Sequence, residues 1–402
     1  MSTSLIKISQ ARELILGAAK PLGSEIVAID DALGRVLAAD VRATGNVPPF
    51  PCSAMDGYAV VAGAAGRALK VVGESRAGTP SDHQLGDDEA IRISTGAAVP
   101  PGASAVIPQE DVVSNGDGVI ETASAVSPGE HVRGAGEDIR ADTTVLTAGT
   151  ILGPVHLGAA VAAGVGSLSV ARRPRVAVLC TGDELRAPGE PLAPGEIHNS
   201  NAPMLTGLAA HAGAVTSPAR RLPDDPGATE VGIADALAGS DVVLITGGVS
   251  VGPHDHVKPA LARLGVQEIF WSVALQPGKP TWFGSLDGGQ LVFGLPGNPV
   301  SAVVTFSLFV APALAALQGA PAPAAPRPDA LLGVDVKRNA NRDMAIRVRL
   351  EQADGGVLAF PNGAQGSHIL TSLVGADALA MIPAGPGELA AGTKVALSAL
   401  SA

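Results

Sequence analysis

Apolar positions along this chain change their spacing several times, and each change marks a new segment. Near the N-terminus Ala11, Leu14, Ile15 and Ala18 recur at helical intervals behind Ser9, which predicts a capped helix. A second short helix is expected over Asp30–Ala39. From Asn46 to Arg140 the apolar residues fall in strand-length runs between turns, at Ala68–Val72, Ala90–Ile93, Ala105–Pro108 and Gly118–Glu121. Thr150–Val170 returns to helical spacing through Leu157, Val161 and Val165, with a strand at Ser167–Val170. The simplest reading pairs 1–44 with 141–173 as a discontinuous helical domain, interrupted by a β-rich lobe at 45–140.

A third pattern begins after Arg172–Pro174. Arg175–Cys180 and Asp241–Thr246 are nearly continuous apolar runs, as in strands buried on both faces. Helical segments at Asn201–Ala212, Thr229–Ala238 and His256–Leu264 alternate with them. Strands at Val266–Val273, Thr281–Gly284 and Gln290–Gly294 and a helix from Pro299 follow. This alternation predicts a mostly parallel α/β domain over 174–320. Val300–Leu317 holds eighteen residues without a charge, but it contains Ser301, Thr305, Ser307 and Pro312 and follows a Gly/Pro loop, so a core helix is expected and no membrane span. Gly319–Asp329 is a Pro/Ala linker, and the alternation at Ala345–Leu350 and Lys394–Leu397 predicts a small C-terminal β domain, 328–402. The fold class is multidomain α/β.

Composition narrows the function. With 46% hydrophobic residues the chain can bury a large interior, while 50 Gly and 32 Pro imply short elements. A net charge of −11 and only seven Phe, two Trp and one Tyr argue against a nucleic-acid partner, which needs a basic face and stacking rings. Cys52 and Cys180 are too few for a disulfide framework or a four-cysteine zinc site. No apolar leader is visible at the start, and a cytoplasmic protein is expected.

Three predicted strands of the α/β domain run into turns rich in glycine and small polar residues. They are Thr181–Glu184, Thr246–Gly252 and Leu295–Ser301. The carboxyl ends of strands in open α/β sheets form the ligand crevice, and glycines let backbone N–H groups approach an anion. Gly247, Gly248, Ser250, Gly297 and Asn298 are therefore candidate substrate-binding residues, with the helix from Pro299 aimed at the same place. Pro174–Ala320 carries seven basic and twelve acidic residues, and between Leu264 and Pro326 the only cation is Lys279, held in Gln276-Pro277-Gly278-Lys279-Pro280. Asp183, Glu184 and Asp255 lie in or beside the same loops, and hard oxygen ligands next to a phosphate site suit Mg²⁺. His254 and His256 flank Asp255 without other clustered ligands, which does not make a transition-metal site. Cys180 closes a strand and has no base within its motif, so covalent catalysis is not expected.

Taken together, the motifs resemble the molybdopterin molybdenumtransferase family, the MoeA-type proteins, which are similar to the E domain of gephyrin. The resemblance runs through PPFPCSAMDGYA at Pro48–Ala59, RISTGA at Arg92–Ala97 and VRGAGEDI at Val132–Ile139. It continues through TGDEL at Thr181, NSN at Asn199, GGVSVG…D at Gly247–Asp255, PGKP at Pro277, LPGNPVS at Leu295 and QGS at Gln365. It implies a four-domain subunit whose α/β domain is molybdopterin-binding-like, and an elongated homodimer in which the α/β domain of one chain faces the β lobe of the other. The implied activity is Mg²⁺-dependent transfer of molybdate into adenylylated molybdopterin with release of AMP. The catalytic set implied by motif matching is Asp56, Thr95, Asp138, Glu184, Asp224, Asp255 and Lys279. Glu184 and Asp255 are the implied Mg²⁺ ligands, and Lys279, Ser301, Arg342 and Ser367 the candidates for holding molybdate. The adenylyltransferase of the same pathway is an implied partner. Gln276 stands where many members carry a second lysine, which leaves one fixed cation instead of two. Two alternatives remain open: the adenylyltransferase itself, which the extra N-terminal lobe and C-terminal domain disfavour, and a non-catalytic scaffold like gephyrin, which would not need the acidic set.

Overall fold

The structure is a computed structural model that describes residues 5–114, 116–248, 256–324 and 328–400. The chain divides into two compact units, one of Met1–Glu25, Gly34–Ala38 and Val170–Ala402, the other of Ile26–Leu33 and Ala39–Ser169.

The first unit is built on a seven-stranded sheet. Its strands run in the order Val215–Thr216, Arg175–Thr181, Val242–Thr246, Leu291–Leu295, Trp282–Ser285, Gln267–Trp271, with Arg220–Leu222 also pairing Arg175–Thr181. The pairings are parallel up to Leu291–Leu295 and antiparallel beyond it. Side chains alternate along the central strands. Val176, Val178, Val242, Leu244 and Phe293 enter one buried cluster, while Ala177, Leu179, Val243, Ile245 and Val292 enter another. The continuous apolar runs in the sequence are therefore two half-patterns for two covered faces.

The helix from Pro299 lies in the larger cluster. It is α-helical over Pro299–Thr305 and Ala311–Leu317 with a π-helical stretch, Phe306–Val310, between. The widened turn comes just before Pro312, whose ring would clash with the preceding turn and which donates no hydrogen bond. Pro299–Leu317 is long and apolar enough to cross a membrane, and 94% of its most apolar window is buried inside the protein. The N-terminal helix, Ile8–Ala18, adds Ala11 and Ile15 to this same cluster. It starts one residue before Ser9, with Lys7 at the cap position and no side-chain cap. The expected capping role of Ser9 is thus corrected.

The C-terminal part of the unit closes on itself. Asp343–Ala353, Gly356–Pro361, Asp329–Leu332, Lys394–Ala399 and Ala378–Ile382 pair in a ring, the last strand returning to the first. A closed barrel leaves no strand edge unpaired around the ring. Ile346, Val348, Val357, Ala359, Ala378, Ala380 and Val395 fill it. A short strand of the α/β region, Leu275–Gln276, adds to the start of Asp343–Ala353 in parallel, which ties the turn carrying Lys279 to the barrel.

The second unit carries a six-stranded sheet in the order Ala105–Pro108, Gly57–Val60, Glu89–Ile93, Ala68–Ser75, Val119–Thr122, Val112–Ser114. Its one α-helix among the described residues is Pro154–Ala162. The second N-terminal helix expected over Asp30–Ala39 is not formed. Ser24–Ala28 is a strand, Ile29–Asp31 a single 3-10 turn, and Gly34 takes φ +73°, which ends any helical run. The segments read as a helical domain therefore hold one α-helix each, with short strands around them.

Candidate functional site

Three adjacent strands of the parallel sheet end side by side: Cys180 pairs with Thr246, and Thr246 with Leu295. The three glycine-rich turns expected to converge therefore leave the same edge of the sheet. Their floor is a hydrogen-bonded knot. Asn201, the first residue of the helix Asn201–His211, donates from Nδ2 to Thr246 Oγ1 at 2.9 Å and to Gly297 O at 2.7 Å. Thr246 Oγ1 donates to Pro296 O at 3.1 Å. Gly247 and Gly248 take φ +85° and +60°, and a side chain on Gly247 would press on Thr181 Oγ1 at 2.7 Å. Both the left-handed backbone and the close approach require glycine there.

Above this floor is a cavity of ≈ 340 Å³ lined by Thr181, Glu184, Asn201, Thr246, Gly247 and Asn298, among others. The Glu184 carboxylate folds over Gly182, where any side chain would collide with it. Asn201 Oδ1 is buried and has no hydrogen-bond partner among the described residues. An orphaned acceptor of this kind costs about 1–3 kcal/mol unless something donates to or coordinates it. Asp224 is tied to the residue before Glu184: its backbone N–H donates to Asp183 Oδ1 at 3.3 Å. Among the described residues no group of three or more His, Cys, Asp or Glu gathers to hold a metal. One carboxylate, two threonine hydroxyls and a free carboxamide oxygen are hard donors, and they fit Mg²⁺, which keeps most of its shell for water and substrate oxygens. Asp255, Ser250 and His254 lie outside the described residues.

Two of the oxyanion candidates, Ser301 and Ser367, lie at the start of the helix at Pro299. Ser301 is buried in its first turn. Asn298 Nδ2 donates to Ser367 Oγ at 3.0 Å, and the Val300 N–H to Ser367 O at 3.2 Å, so the barrel loop bearing Ser367 is seated on this helix start. The turn of Lys279 leans on the same helix, with a side chain at Gly278 excluded by Thr305 Cγ2 at 2.7 Å. Arg342 reaches Gln276 Oε1 from Nη2 at 3.5 Å, and Asn339 Nδ2 donates to the same oxygen at 2.6 Å. The guanidinium of Arg342 therefore stands at the base of the turn that carries Lys279.

Sequence reasoning missed Arg347. Its side chain is completely buried and forms no ion pair among the described residues. It donates from Nε to Ser372 Oγ at 3.1 Å and from Nη2 to Gly366 O at 3.3 Å, next to Ser367. Burial pushes its pKa down to about 10, so it stays charged at neutral pH. A buried cation without a carboxylate is costly and calls for an anion or a dense set of acceptors. Cys180 is the opposite case: burial pushes its thiol up, which keeps it unreactive.

Asp56, Thr95 and Asp138 belong to the second unit. The Thr95 N–H and hydroxyl both donate to Asp56 Oδ1, at 2.7 and 3.1 Å. These bonds, the backbone one foremost, hold the Asp56 carboxyl below its usual range, with Arg92 helping. A depressed folded pKa contributes stability that is present above the unfolded value and is lost as pH falls through the folded one. Thr95→Val, which keeps the backbone bond and removes the hydroxyl, should raise the Asp56 titration midpoint toward 3.8 in carboxyl-carbon NMR. An unchanged midpoint would show that the hydroxyl does not support the carboxylate. Asp138 lies in a different turn, its N–H bonded to Val47 O at 3.0 Å, and lines a groove with Thr143, Val155 and Ala159.

Known proteins show the same organisation. Residues 6–164 match the MoeA N-terminal region (domain I and II), 177–316 a probable molybdopterin binding domain and 329–400 the MoeA C-terminal region (domain IV). The chain is 35% identical to a molybdopterin molybdenumtransferase of Haemophilus influenzae over 398 residues, 98% of each chain. It is 37% identical to molybdopterin molybdenumtransferase 2 of Mycobacterium tuberculosis over 383 residues, 92% of this chain and 93% of that one. A crystal structure of the molybdopterin biosynthesis MoeA protein from Pyrococcus horikosii superposes with a TM-score of 0.84 at 33% identity, covering 99% of both chains.

Proposed function

The chain belongs to the molybdopterin molybdenumtransferase family, an enzyme family of molybdenum cofactor biosynthesis, and on that premise we propose how its residues carry out the transfer. The reaction is Mg²⁺-dependent insertion of molybdate into adenylylated molybdopterin, with AMP as the leaving product. The observation that carries this reading is the cavity at the strand ends, where Glu184 and Asn201 Oδ1, unpaired among the described residues, face the glycine turns and the helix start at Pro299.

Glu184 would hold Mg²⁺ there, with Asp255 as the second carboxylate by motif match. Bound Mg²⁺ supplies charge neutralisation for the phosphoanhydride. The rest of the work falls to the chain's own groups. Gly247 and Gly248 bring backbone close to the phosphate oxygens, since neither carries a side chain to hold them off. Asp224, whose N–H meets Asp183 next to Glu184, orients water on the α/β side, and the motif match separately assigns catalytic roles to Asp56, Thr95 and Asp138. Lys279, Ser301, Ser367 and Arg342 hold the molybdate dianion through a fixed cation, hydroxyl donors and a second guanidinium at Gln276. Arg347 adds its field from behind Gly366 and Ser367, where the low-dielectric surroundings make a charge count for more. The enzyme is proposed to act as a cytoplasmic homodimer, supplied by the adenylyltransferase step.

Purified protein given adenylylated molybdopterin should release AMP only when both Mg²⁺ and molybdate are present. Release that ignores molybdate would contradict a transferase. Lys279→Met should raise the KM for molybdate by roughly tenfold while changing kcat less, as expected when one charge-assisted contact to an anion is lost. An unchanged KM would remove Lys279 from the anion site.

A further inference from the structure

Gln276 opens the turn that carries Lys279, and its side chain is where a polar network from the barrel ends. The hydrogen bonds fix which end of each amide faces which. Asn339 Oδ1 accepts the backbone N–H groups of Asn341 at 2.9 Å and Arg342 at 3.0 Å, so Nδ2 is the end that reaches Gln276. Both groups that meet Gln276 are then donors, Asn339 Nδ2 at 2.6 Å and Arg342 Nη2 at 3.5 Å, and only its oxygen can accept them. The backbones are tied as well. Leu275–Gln276 pairs with Asp343 and Met344, and the Asp343 N–H donates to Ala274 O at 3.0 Å. The Asn339–Arg342 turn and the Lys279 turn are therefore stitched together at Gln276.

Charge at this junction is one-sided. Arg342 is half-buried and, like Lys279, forms no salt bridge among the described residues. The carboxylate next to it in the chain, Asp343, gives Oδ1 to the Ala384 N–H at 2.8 Å. A carboxylate at position 276 would grip the guanidinium harder but would cancel its charge. A carboxamide holds the guanidinium and leaves that charge for an anion. We propose that Gln276 is a positioning residue of the oxyanion site: its Oε1 holds the Arg342 guanidinium at the Lys279 turn without neutralising it, so that molybdate meets both cations. This deepens the reading above and rests on it.

The test measures molybdate binding by calorimetry, and KM and kcat for molybdate in AMP release, on the full-length protein. Gln276→Glu keeps an acceptor for Asn339 and Arg342, so a purely structural stitch predicts parent-like stability and parent-like molybdate affinity. The positioning role predicts an undiminished melting temperature but a molybdate affinity weaker by roughly tenfold or more, with kcat changed less. Gln276→Met, which releases the guanidinium, should weaken molybdate binding by roughly three- to tenfold, and should add nothing once Arg342→Met is in place. Parent-like molybdate affinity in Gln276→Glu would overturn the proposal, as would a Gln276→Met effect that persists in the Arg342→Met background. The two ideas fail separately. Molybdate-dependent AMP release with a KM indifferent to position 276 sinks only the positioning role. Molybdate binding that follows Gln276 and Arg342 without turnover sinks only the reaction, and a parent protein that binds no molybdate overturns both.

Discussion

Glu184→Gln should lower the rate of AMP release by roughly 100-fold or more while leaving the protein folded. The substitution keeps the shape of the side chain and its place over Gly182, and it leaves untouched the backbone bond from Ile197 N to Glu184 O at 2.9 Å. What changes is the charge. Glu184 is the only carboxylate lining the cavity among the described residues, so its loss removes the hard anionic donor that the proposed Mg²⁺ requires. The Mg²⁺ concentration needed for half-maximal rate should rise together with the fall in kcat. A variant with parent-like turnover and Mg²⁺ dependence would move the metal site away from this cavity.

Arg347→Met gives the second large effect, and it separates a structural role from a functional one. Removing a buried charge relieves its desolvation cost, which offsets the hydrogen bonds lost to Ser372 Oγ and Gly366 O, so the melting temperature should shift by only a few degrees. The Ser367 loop also keeps its contacts with Asn298 and Val300. The anion site, however, loses a fixed positive field and the tether behind Ser367. The KM for molybdate should rise by roughly 10- to 100-fold. Arg347→Lys, which keeps charge without the planar fork, should fall between the two. Strong destabilisation with a normal KM in the folded fraction would mean that Arg347 is purely structural.

The α/β layout was readable because strands covered on both faces are continuously apolar, and Arg175–Thr181 and Val242–Thr246 leave no other period to choose. The three glycine turns were readable for a related reason: left-handed backbone at Gly247 and Gly248 demands a residue type that sequence displays directly. The N-terminal segment was not. Helical spacing over Asp30–Ala39 is local and weak, and a 3-10 turn with a glycine at φ +73° satisfies the same apolar positions.

Arg347 escaped notice for a geometric reason. Ile346 and Val348 point into the barrel, so alternation sends Arg347 to the outside, where an arginine is normally solvated. In this protein that outer face is covered. Ala345 and Leu379, its neighbour along the strand and its partner across it, belong to the α/β core cluster. Only the tertiary structure shows that the guanidinium is enclosed. Asn201 was missed similarly, since an asparagine at a helix start reads as a cap, and its orphaned Oδ1 becomes visible only once Thr246 and Gly297 are seen to take its other end.

The most direct test of the account is a single turnover of adenylylated molybdopterin with Mg²⁺ and molybdate, measuring AMP released and molybdenum bound to the pterin in the same sample. Transfer coupled to cleavage predicts one molybdenum retained for each AMP released, and neither event when molybdate or Mg²⁺ is withheld. AMP appearing without molybdenum on the pterin would mean that the cavity hydrolyses the anhydride without transferring the metal, which would contradict the function assigned to these residues.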